Sequence, residues 1–278
     1  MDQLYVNTCM ECSELITKRY STSFSMGIRL FHKHLRKPIA AIYGFVRFAD
    51  EIVDTFHDHD KKALLDSFKK DTFDAIENKI SLNPVLQSFQ QVVNQYHIEY
   101  PLINAFLDSM YMDLEKLEYN QPKLDKYIYG SAEVIGLMCL RVFTGGNENS
   151  YNSLKDSAKS LGSAFQKINF LRDMKSDFDD RGRVYFPNVD FKHFTQNQKR
   201  VIEKDIKKDF DHAYNGIIRL PKSSRLGVYL AYRYYLKLFH KIISAPVSVV
   251  KEERIRVPNS LKMVLLAKST LRHRFDIM

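Results

Sequence analysis

The sequence predicts a single all-α domain. The chain has 278 residues, of which 45% are apolar and 27% charged, as is usual for a globular protein with a large core. Gly (10) and Pro (8) are scarce, and helix interiors tolerate neither, whereas hairpin-rich β folds need many turn residues. Apolar residues recur every three or four positions, and alternation with period two is nowhere sustained. We therefore expect one helical domain over residues 1–278.

Nine segments carry the helical pattern, and short breaks separate several of them. The segments are Tyr5–Tyr20, Pro38–His57, Lys61–Ile80, Pro101–Leu117, Leu124–Thr144, Tyr151–Ser176, Gln196–Ile218, Ser223–Ile243 and Leu261–Leu271. The breaks fall at Asn83-Pro84, Tyr100-Pro101, Gly145-Gly146 and Phe186-Pro187. Because each break is short, we interpret it as a connection between helices of one domain.

Charge and cysteine content narrow the functional classes. Lys and Arg number 42 and Asp and Glu 33, a net charge of +9, which favours an anionic partner such as a phosphate-bearing substrate or an acidic membrane surface. Nucleic acid is not an expected partner, because the charge is spread out and no binding module is recognised.

Three cysteines are too few for a disulfide framework, so we expect the protein to lie in the cytoplasm. No signal-peptide pattern and no spanning apolar run are visible, which predicts a soluble protein or one peripheral at the inner membrane surface.

A first acidic stripe lies in the segment Pro38–His57. Asp50 and Asp54 are one helical turn apart, with Arg47 and Tyr43 one and two turns earlier. Like charges at this spacing cost a few tenths of a kcal/mol, and an unpaired carboxylate on an apolar helix costs more. Something cationic should therefore compensate this stripe.

A second polar stripe lies near the end of the segment Tyr151–Ser176. On a continuous helix, Gln166, Asn169, Asp173 and Asp177 would share a stripe roughly 80° wide. All four carry oxygen donors, which hard divalent cations prefer, and Mg²⁺ is usually held by one or two carboxylates together with substrate phosphates. Two facing stripes predict such a site in a bundle core.

Fixed positive charge for phosphate oxygens would come from Arg47, Arg172 and Arg183. The alternative for an isolated pair of turn-spaced aspartates is a solvated helix face. Two stripes in one chain, each flanked by Arg and apolar residues, favour the metal site. Lys175 lies roughly 160° around the helix from Asp173 and Asp177 and is expected to face solvent.

At these positions the chain resembles the squalene/phytoene synthase family, the head-to-head trans-prenyl transferases, and bacterial phytoene synthases in particular. The segments that carry the resemblance are residues 20–25, 41–54, 127–136, 161–187, 231–236 and 254–258. Two positions depart from the common family pattern. Glu51 stands where Asp is frequent, and Glu133 stands where a small residue is usual, which affects the expected cavity shape.

The resemblance implies an all-α isoprenoid-synthase bundle around a central cavity. It also implies a Mg²⁺-dependent enzyme, with Mn²⁺ as the alternative metal. Two geranylgeranyl diphosphates would condense through a cyclopropyl diphosphate to 15-cis-phytoene, the first step of carotenoid biosynthesis. The alternative is squalene or dehydrosqualene from two farnesyl diphosphates, with NADPH needed only for squalene. A third reading is a non-catalytic family member that serves in assembly, against which the intact acidic stripes argue.

The resemblance also assigns roles to residues. The metal ligands would be Asp50, Glu51, Asp54, Asn169, Asp173 and Asp177. The catalytic residues would be the four aspartates and Tyr129. The substrate-binding residues would be Ser21, Ser23, Tyr43, Arg47, Gln166, Asn169, Arg172 and Tyr235. Aromatic faces that could stabilise a carbocation are Phe24, Phe45, Tyr129, Phe170 and Tyr235, and ordinary core packing is the competing interpretation for each.

Two other signals are discounted. Cys9 and Cys12 have zinc-like spacing, but Cys139 is the sole other cysteine, so no closed zinc site is expected. The basic run Lys204–Lys208, with Lys199 and Arg200, is interpreted as a solvated helix face, with anionic lipid headgroups as the alternative partner. The oligomeric state is not readable from the sequence.

Overall fold

The computed structural model describes residues 2–115, 119–187 and 189–275, except for the side chains of Ser23, Asp180 and Arg181. Over these residues the chain forms helices and no strands, so the predicted all-α class is confirmed. The helices are α1 (Gln3–Tyr20), α2 (Thr22–Arg29), α3 (Lys33–Asp54), α4 (Lys61–Asn78), α5 (Pro84–Tyr96), α6 (Tyr100–Met112), α7 (Gln121–Ile128), α8 (Val134–Phe143), α9 (Glu148–Arg172), α10 (Met174–Arg181), α11 (Gln196–Ile217), α12 (Lys222–Ser244), α13 (Val247–Glu252) and α14 (Asn259–Arg274). A π-helical segment, Tyr129–Glu133, joins α7 to α8.

Helix ends coincide with capping side chains and turn glycines. The Asn83 side chain accepts from the backbone N–H groups of Val85 and Leu86, and Pro84 occupies the first turn of α5. Gly145 and Gly146 have φ values of 60° and 76°, a left-handed conformation that glycine adopts without steric cost. The predicted breaks at these positions therefore lie between helices.

The helices enclose two apolar cores. In the first, Phe45 of α3 is fully buried and stacks on Phe89 of α5 with 3.9 Å between ring centroids. In the second, Phe170 of α9 stacks on Tyr185 at 4.0 Å. Phe45 and Phe170 are thus packed inside cores, so the ordinary interpretation holds for these two aromatic candidates.

Three helices, α2, α5 and α13, were not expected from periodicity. In α5 the reason is clear, because Gln87, Ser88 and Gln90 are buried and interrupt the apolar pattern. The expected single helix Leu124–Thr144 is divided by the π-helical segment. There Gly130 lies so close to α6 that an added Cβ would stand 2.4 Å from the Ala105 carbonyl oxygen.

The second polar stripe does not lie on one continuous helix. Helix α9 ends at Arg172, Asp173 has φ −103° and ψ 10°, and α10 begins at Met174. From Arg172 to Arg181 the sequence is polar apart from Met174 and Phe178, so little apolar burial supports one continuous helix here. Asp also favours helix ends over helix interiors. The helical prediction across this point was wrong.

The basic surface of α11 differs from the expectation at one residue. Lys199 is fully buried, donates to the carbonyl oxygens of Ile243 (3.2 Å) and Ala245 (3.0 Å), and pairs with Glu203 at 2.7 Å. It therefore satisfies carbonyl groups at the end of α12 instead of facing solvent. Lys175 is exposed and pairs with Asp179 at 2.5 Å, as its predicted position requires.

None of the described helices is both long and apolar enough to cross a lipid bilayer.

Candidate active site

A cavity of about 580 Å³ lies between α2, α3, α8, α9, α12 and α14. Its size falls within the range of small-molecule sites. Most of the lining is apolar or small, including Gly27, Ile135, Cys139 and Ala158. The predicted substrate-binding residues that reach the lining are Ser21, Tyr43, Asn169, Arg172 and Tyr235. The cavity therefore combines an apolar body with hydroxyl, amide and guanidinium groups.

The first polar group joins the start of α2 to α3. The Tyr43 ring stacks on Phe24 with 4.8 Å between centroids, and its hydroxyl shares a hydrogen bond with Ser21. Burial raises the pKa of Tyr43, so its hydroxyl stays protonated at neutral pH and is available as a donor. Ser23, the neighbouring candidate, has its side chain outside the described part of the chain.

Asp50 lies on α3 one turn beyond Arg47. Arg47 donates to Glu51 and lies over the Tyr20 ring at 4.6 Å, and its buried Nε has no hydrogen-bond partner in the structure. Burial raises the pKa of Asp50 to about 7, and repulsion from Asp54 adds to this. Arg47 therefore compensates the negative charge of Asp50 only in part.

The second polar group lies at the end of α9. Asn169 accepts from the Tyr235 hydroxyl at 3.3 Å and approaches Gln166 at 3.5 Å. Arg172 donates to both carboxylate oxygens of Asp173, at 3.0 and 2.5 Å. Arg254, on the segment between α13 and α14, reaches the same carboxylate at 2.8 Å. Two guanidinium groups thus hold Asp173, in contrast to Asp50.

Besides the two acidic stripes, the site contains Asp113, which lies between them and was not predicted from the sequence. The carboxylate follows α6, is 2.6 Å from Arg183 Nη1, and accepts from the Tyr127 hydroxyl at 2.9 Å. Both partners are buried. In this structure Arg183 therefore pairs with Asp113, and its predicted contact with a phosphate stays a prediction. As a single acid after an apolar helix, Asp113 has no paired carboxylate that could mark it in the sequence.

Asp113 also links the two acidic stripes electrostatically. Its charge contributes to the raised pKa of Asp50. Burial, followed by the charges of Asp113 and Asp177, raises the pKa of Tyr185 to about 12. Asp113 therefore lies within electrostatic range of Asp50 in the first stripe, and it shares the neighbour Tyr185 with Asp177 in the second. That the two stripes face each other stays a prediction.

The structure brings Tyr127, and not the predicted Tyr129, to this acidic region. Lys159 lies over the Tyr129 ring at 5.6 Å and pairs with Glu133 at 3.7 Å, and Tyr129 packs against the first core. Tyr127 and Tyr129 are two residues apart, which corresponds to roughly 200° of rotation around a helix. The two side chains therefore face different neighbours. Burial raises the pKa of Tyr127 well above its usual value, which keeps its phenol protonated.

The donor set fits a hard divalent cation that is completed by substrate. Among the described residues, no three Asp, Glu, His or Cys side chains converge closely enough to hold a metal ion by themselves. Mg²⁺ does not need such a cluster, because it is usually held by one or two carboxylates together with phosphate oxygens and water. The under-compensated carboxylate of Asp50 is suited to that arrangement. Cys9 and Cys12 remain free thiols.

Sequence and fold comparisons with known proteins point to one family. The family model described as squalene/phytoene synthase matches residues 17–260. Phytoene synthase 1 of Zea mays is 28% identical over 258 residues, covering 83% of this chain and 60% of the relative. The chain thus spans about three fifths of the length of that plant relative.

Two bacterial relatives and a solved structure extend the comparison. Phytoene synthase of Arthrospira platensis is 26% identical over 95% of this chain and 93% of its own length. A 4,4'-diapophytoene synthase of Staphylococcus haemolyticus is 27% identical over 68% of this chain and 66% of its own. The crystal structure of a dehydrosqualene synthase superposes with a TM-score of 0.81 at 20% identity, covering 98% of both chains. The chain belongs to the squalene/phytoene synthase family.

Proposed function

We propose that the protein is a prenyltransferase that joins two allylic prenyl diphosphates head to head with loss of diphosphate. The observation that supports this most directly is the apolar cavity, whose lining also carries Ser21, Tyr43, Asn169 and Arg172. An apolar volume next to polar and cationic groups matches a ligand with a hydrocarbon tail and an anionic head. Membership of the family supports the same reaction.

The diphosphate groups would be held by the polar lining. Arg172 lines the cavity and offers a planar cation that matches phosphate oxygens. The buried Nε of Arg47 has no hydrogen-bond partner among the described residues, so it can donate to a phosphate oxygen. Tyr43, Ser21 and Tyr235 supply protonated hydroxyl groups close by.

Mg²⁺ fits this site, with Mn²⁺ as the alternative. The carboxylates of Asp50, Asp54, Asp173 and Asp177 would hold it, with Glu51 and Asn169 as supporting donors. When bound, the metal neutralises charge that develops on the departing diphosphate. We expect activity to be lost with EDTA and restored by added Mg²⁺.

The bond changes follow from the substrates. The C–O bond of the first diphosphate breaks, and the electron pair leaves with the diphosphate. The double bond of the second molecule attacks the allylic cation, and loss of a proton closes a cyclopropane ring. A second ionisation releases the second diphosphate, and the rearranged cation loses a proton to give the linear hydrocarbon; in the squalene alternative it accepts a hydride from NADPH instead. Phe24 and Tyr235 line the cavity and could stabilise the cation through their ring faces, while the apolar walls exclude water.

We propose geranylgeranyl diphosphate as the substrate and 15-cis-phytoene as the product. The relatives named phytoene synthases support this choice. Small residues on the cavity wall, among them Gly27, Gly136 and Ala158, leave room for a long tail. The alternative, two farnesyl diphosphates, is favoured by the relative named a 4,4'-diapophytoene synthase. The cytoplasmic location remains a prediction.

The decisive experiment supplies the purified protein with Mg²⁺ and either diphosphate, with and without NADPH, and analyses the extract by mass spectrometry. A C40 hydrocarbon from geranylgeranyl diphosphate without NADPH would support the proposal. A C30 product from farnesyl diphosphate alone would replace it with the shorter-chain alternative, and NADPH dependence would separate squalene from dehydrosqualene. No hydrocarbon from either substrate would favour a non-catalytic role.

A further inference from the structure

Helix α14 is apolar on two opposite faces. On its inner face Leu265 is buried and lines the cavity beside Lys262. On its outer face the large apolar side chains are exposed: Met263 (58%), Val264 (46%) and Leu271 (56%), followed by Phe275 (65%) just after the helix. Large apolar side chains exposed next to one another on a helix mark a contact surface more often than isolated ones do. The outer face of α14 is therefore suited to an apolar partner.

The exposed apolar residues form a stripe. At 100° per residue, Val264, Leu271 and Phe275 fall within about 40° of one another. Exposed Lys268 follows along one edge of the stripe. Arg272 lies further around the helix and donates to the Tyr229 hydroxyl of α12 at 3.2 Å. An apolar stripe beside cations is the pattern of helices that lie in the headgroup region of a bilayer.

The charge on this segment has one sign. Residues 259–275 contain Lys262, Lys268, Arg272, His273 and Arg274 and no acidic residue. Helix α11, the other basic helix, alternates five basic residues with four acidic ones. Several of its charges are paired, as in the contact of Lys207 with Asp211 at 2.5 Å. Charge complementarity to an anionic surface therefore favours α14 over α11.

We propose that the outer face of α14, defined by Met263, Val264, Leu271 and Phe275 with Lys268 and Arg274, docks on an anionic lipid bilayer. The apolar side chains enter the boundary between headgroups and acyl chains, and the cations lie over the anionic headgroups.

The placement also has a functional meaning, which rests on the proposed prenyl transfer. Because Leu265 and Lys262 line the cavity from the opposite side of α14, one helix, roughly 10 Å across, separates the cavity from the docking surface. A hydrocarbon product therefore has a short path into the bilayer.

Vesicle flotation tests the docking surface without requiring turnover. We expect the full chain to float with vesicles of equal parts phosphatidylcholine and phosphatidylglycerol, and to bind phosphatidylcholine alone at least about tenfold more weakly. The double variant Leu271→Ser with Phe275→Ser should lose about tenfold or more in affinity. Lys268→Gln with Arg274→Gln should lose about tenfold in 0.1 M NaCl and much less in 0.5 M, where charges are screened.

The matched control is Lys204→Gln with Lys208→Gln, which removes the same charge from exposed positions of α11. It should bind anionic vesicles within about twofold of the wild type. Each variant must keep the wild-type melting temperature and its activity on detergent-dispersed substrate. An equal loss in the α11 control would overturn the proposal, as would the absence of wild-type binding to anionic vesicles.

Light scattering distinguishes a protein partner from a lipid surface. If the Leu271 and Phe275 substitutions split an oligomer of this chain while vesicle binding persists, the surface is an interface between copies and the proposal is wrong. Because flotation is independent of turnover, failure of docking and failure of the prenyltransferase assay are separate results.

Discussion

Asp50 and Asp173 are the corresponding candidates of the two acidic stripes, yet their surroundings differ. Asp50 lies within the unbroken helix α3, where burial and neighbouring carboxylates raise its pKa to about 7. Asp173 lies at the junction of α9 and α10, held by Arg172 and Arg254. The comparison suggests a division of work: Arg47 compensates Asp50 only in part, whereas Asp173 is paired with two arginines that a diphosphate can also use.

The largest expected effect is on turnover, where the two residues should behave alike. Asp50→Asn and Asp173→Asn each remove a carboxylate from the proposed metal site, and we expect product formation to fall by about 10³-fold. Quantified hydrocarbon in the extract is the measurement. Asp108→Asn, an exposed substitution that affects only a surface pair with Lys69, is the matched control. Full activity in either site variant would remove that residue from the site.

Stability should separate the two residues. In metal-free protein at pH 8, Asp50→Asn removes a buried, repelled charge and should stabilise by about 2 kcal/mol, which raises Tm by roughly 4–8 °C. Asp173→Asn weakens two ion pairs and should destabilise by about 1 kcal/mol. Thermal unfolding in EDTA measures both. Shifts of the same sign would contradict the contrast in charge compensation.

The gain from Asp50→Asn should depend on pH. The carboxyl pKa is raised from 3.8 when unfolded to about 7 when folded, so the folded state binds the proton more tightly. The stability that this proton contributes is fully present below pH 3.8 and is lost as pH rises through about 7. The advantage of Asp50→Asn over the wild type should therefore be largest at pH 8 and fall to roughly a third by pH 5. A pH-independent difference in Tm would show that Asp50 is not the titrating group.

The smallest effect is expected at Arg254. Its side chain is 53% exposed where it pairs with Asp173, and exposed ion pairs contribute at most about 1 kcal/mol. Arg254→Gln should lower Tm by about 2 °C or less. Arg256→Gln, also at an exposed position of the same segment, is the control and should leave Tm unchanged. A larger fall for Arg254→Gln would mean that this ion pair organises the segment.

Apolar periodicity predicted most of the long helices. Helices such as α1, α3 and α11 bury one face, so their apolar residues recur with the 3.6-residue helical repeat. It failed in α5, where buried Gln87, Ser88 and Gln90 hide the apolar face. It also failed at Asp173, where an ion pair with the distant Arg254 accompanies the end of α9. Such contacts cannot be read from local spacing.

Like the helices, the candidate site was predicted only in part. Asn169 and Arg172 reach the cavity together because they lie one turn apart on α9, and Tyr43 and Tyr235, whose roles the resemblance implied, line it from α3 and α12. Asp113 was missed because its partners Tyr127 and Arg183 are 14 and 70 positions away in the sequence. Its contact with Tyr127 depends on the packing of α6 against the helices that follow it, which the sequence does not show.

The π-helical segment Tyr129–Glu133 has a consequence for how this chain can change over evolution. A π-helical turn contains one residue more than an α-helical turn. This extra residue lets Tyr127, before the segment, and Gly136 and Cys139, after it, each face their own neighbours. Deleting a single residue here would restore an ordinary helix and rotate everything downstream by about 100°, turning the cavity wall toward the wrong neighbours. Substitutions along this stretch, except at the closely packed Gly130, should be inherited far more readily than single-residue deletions.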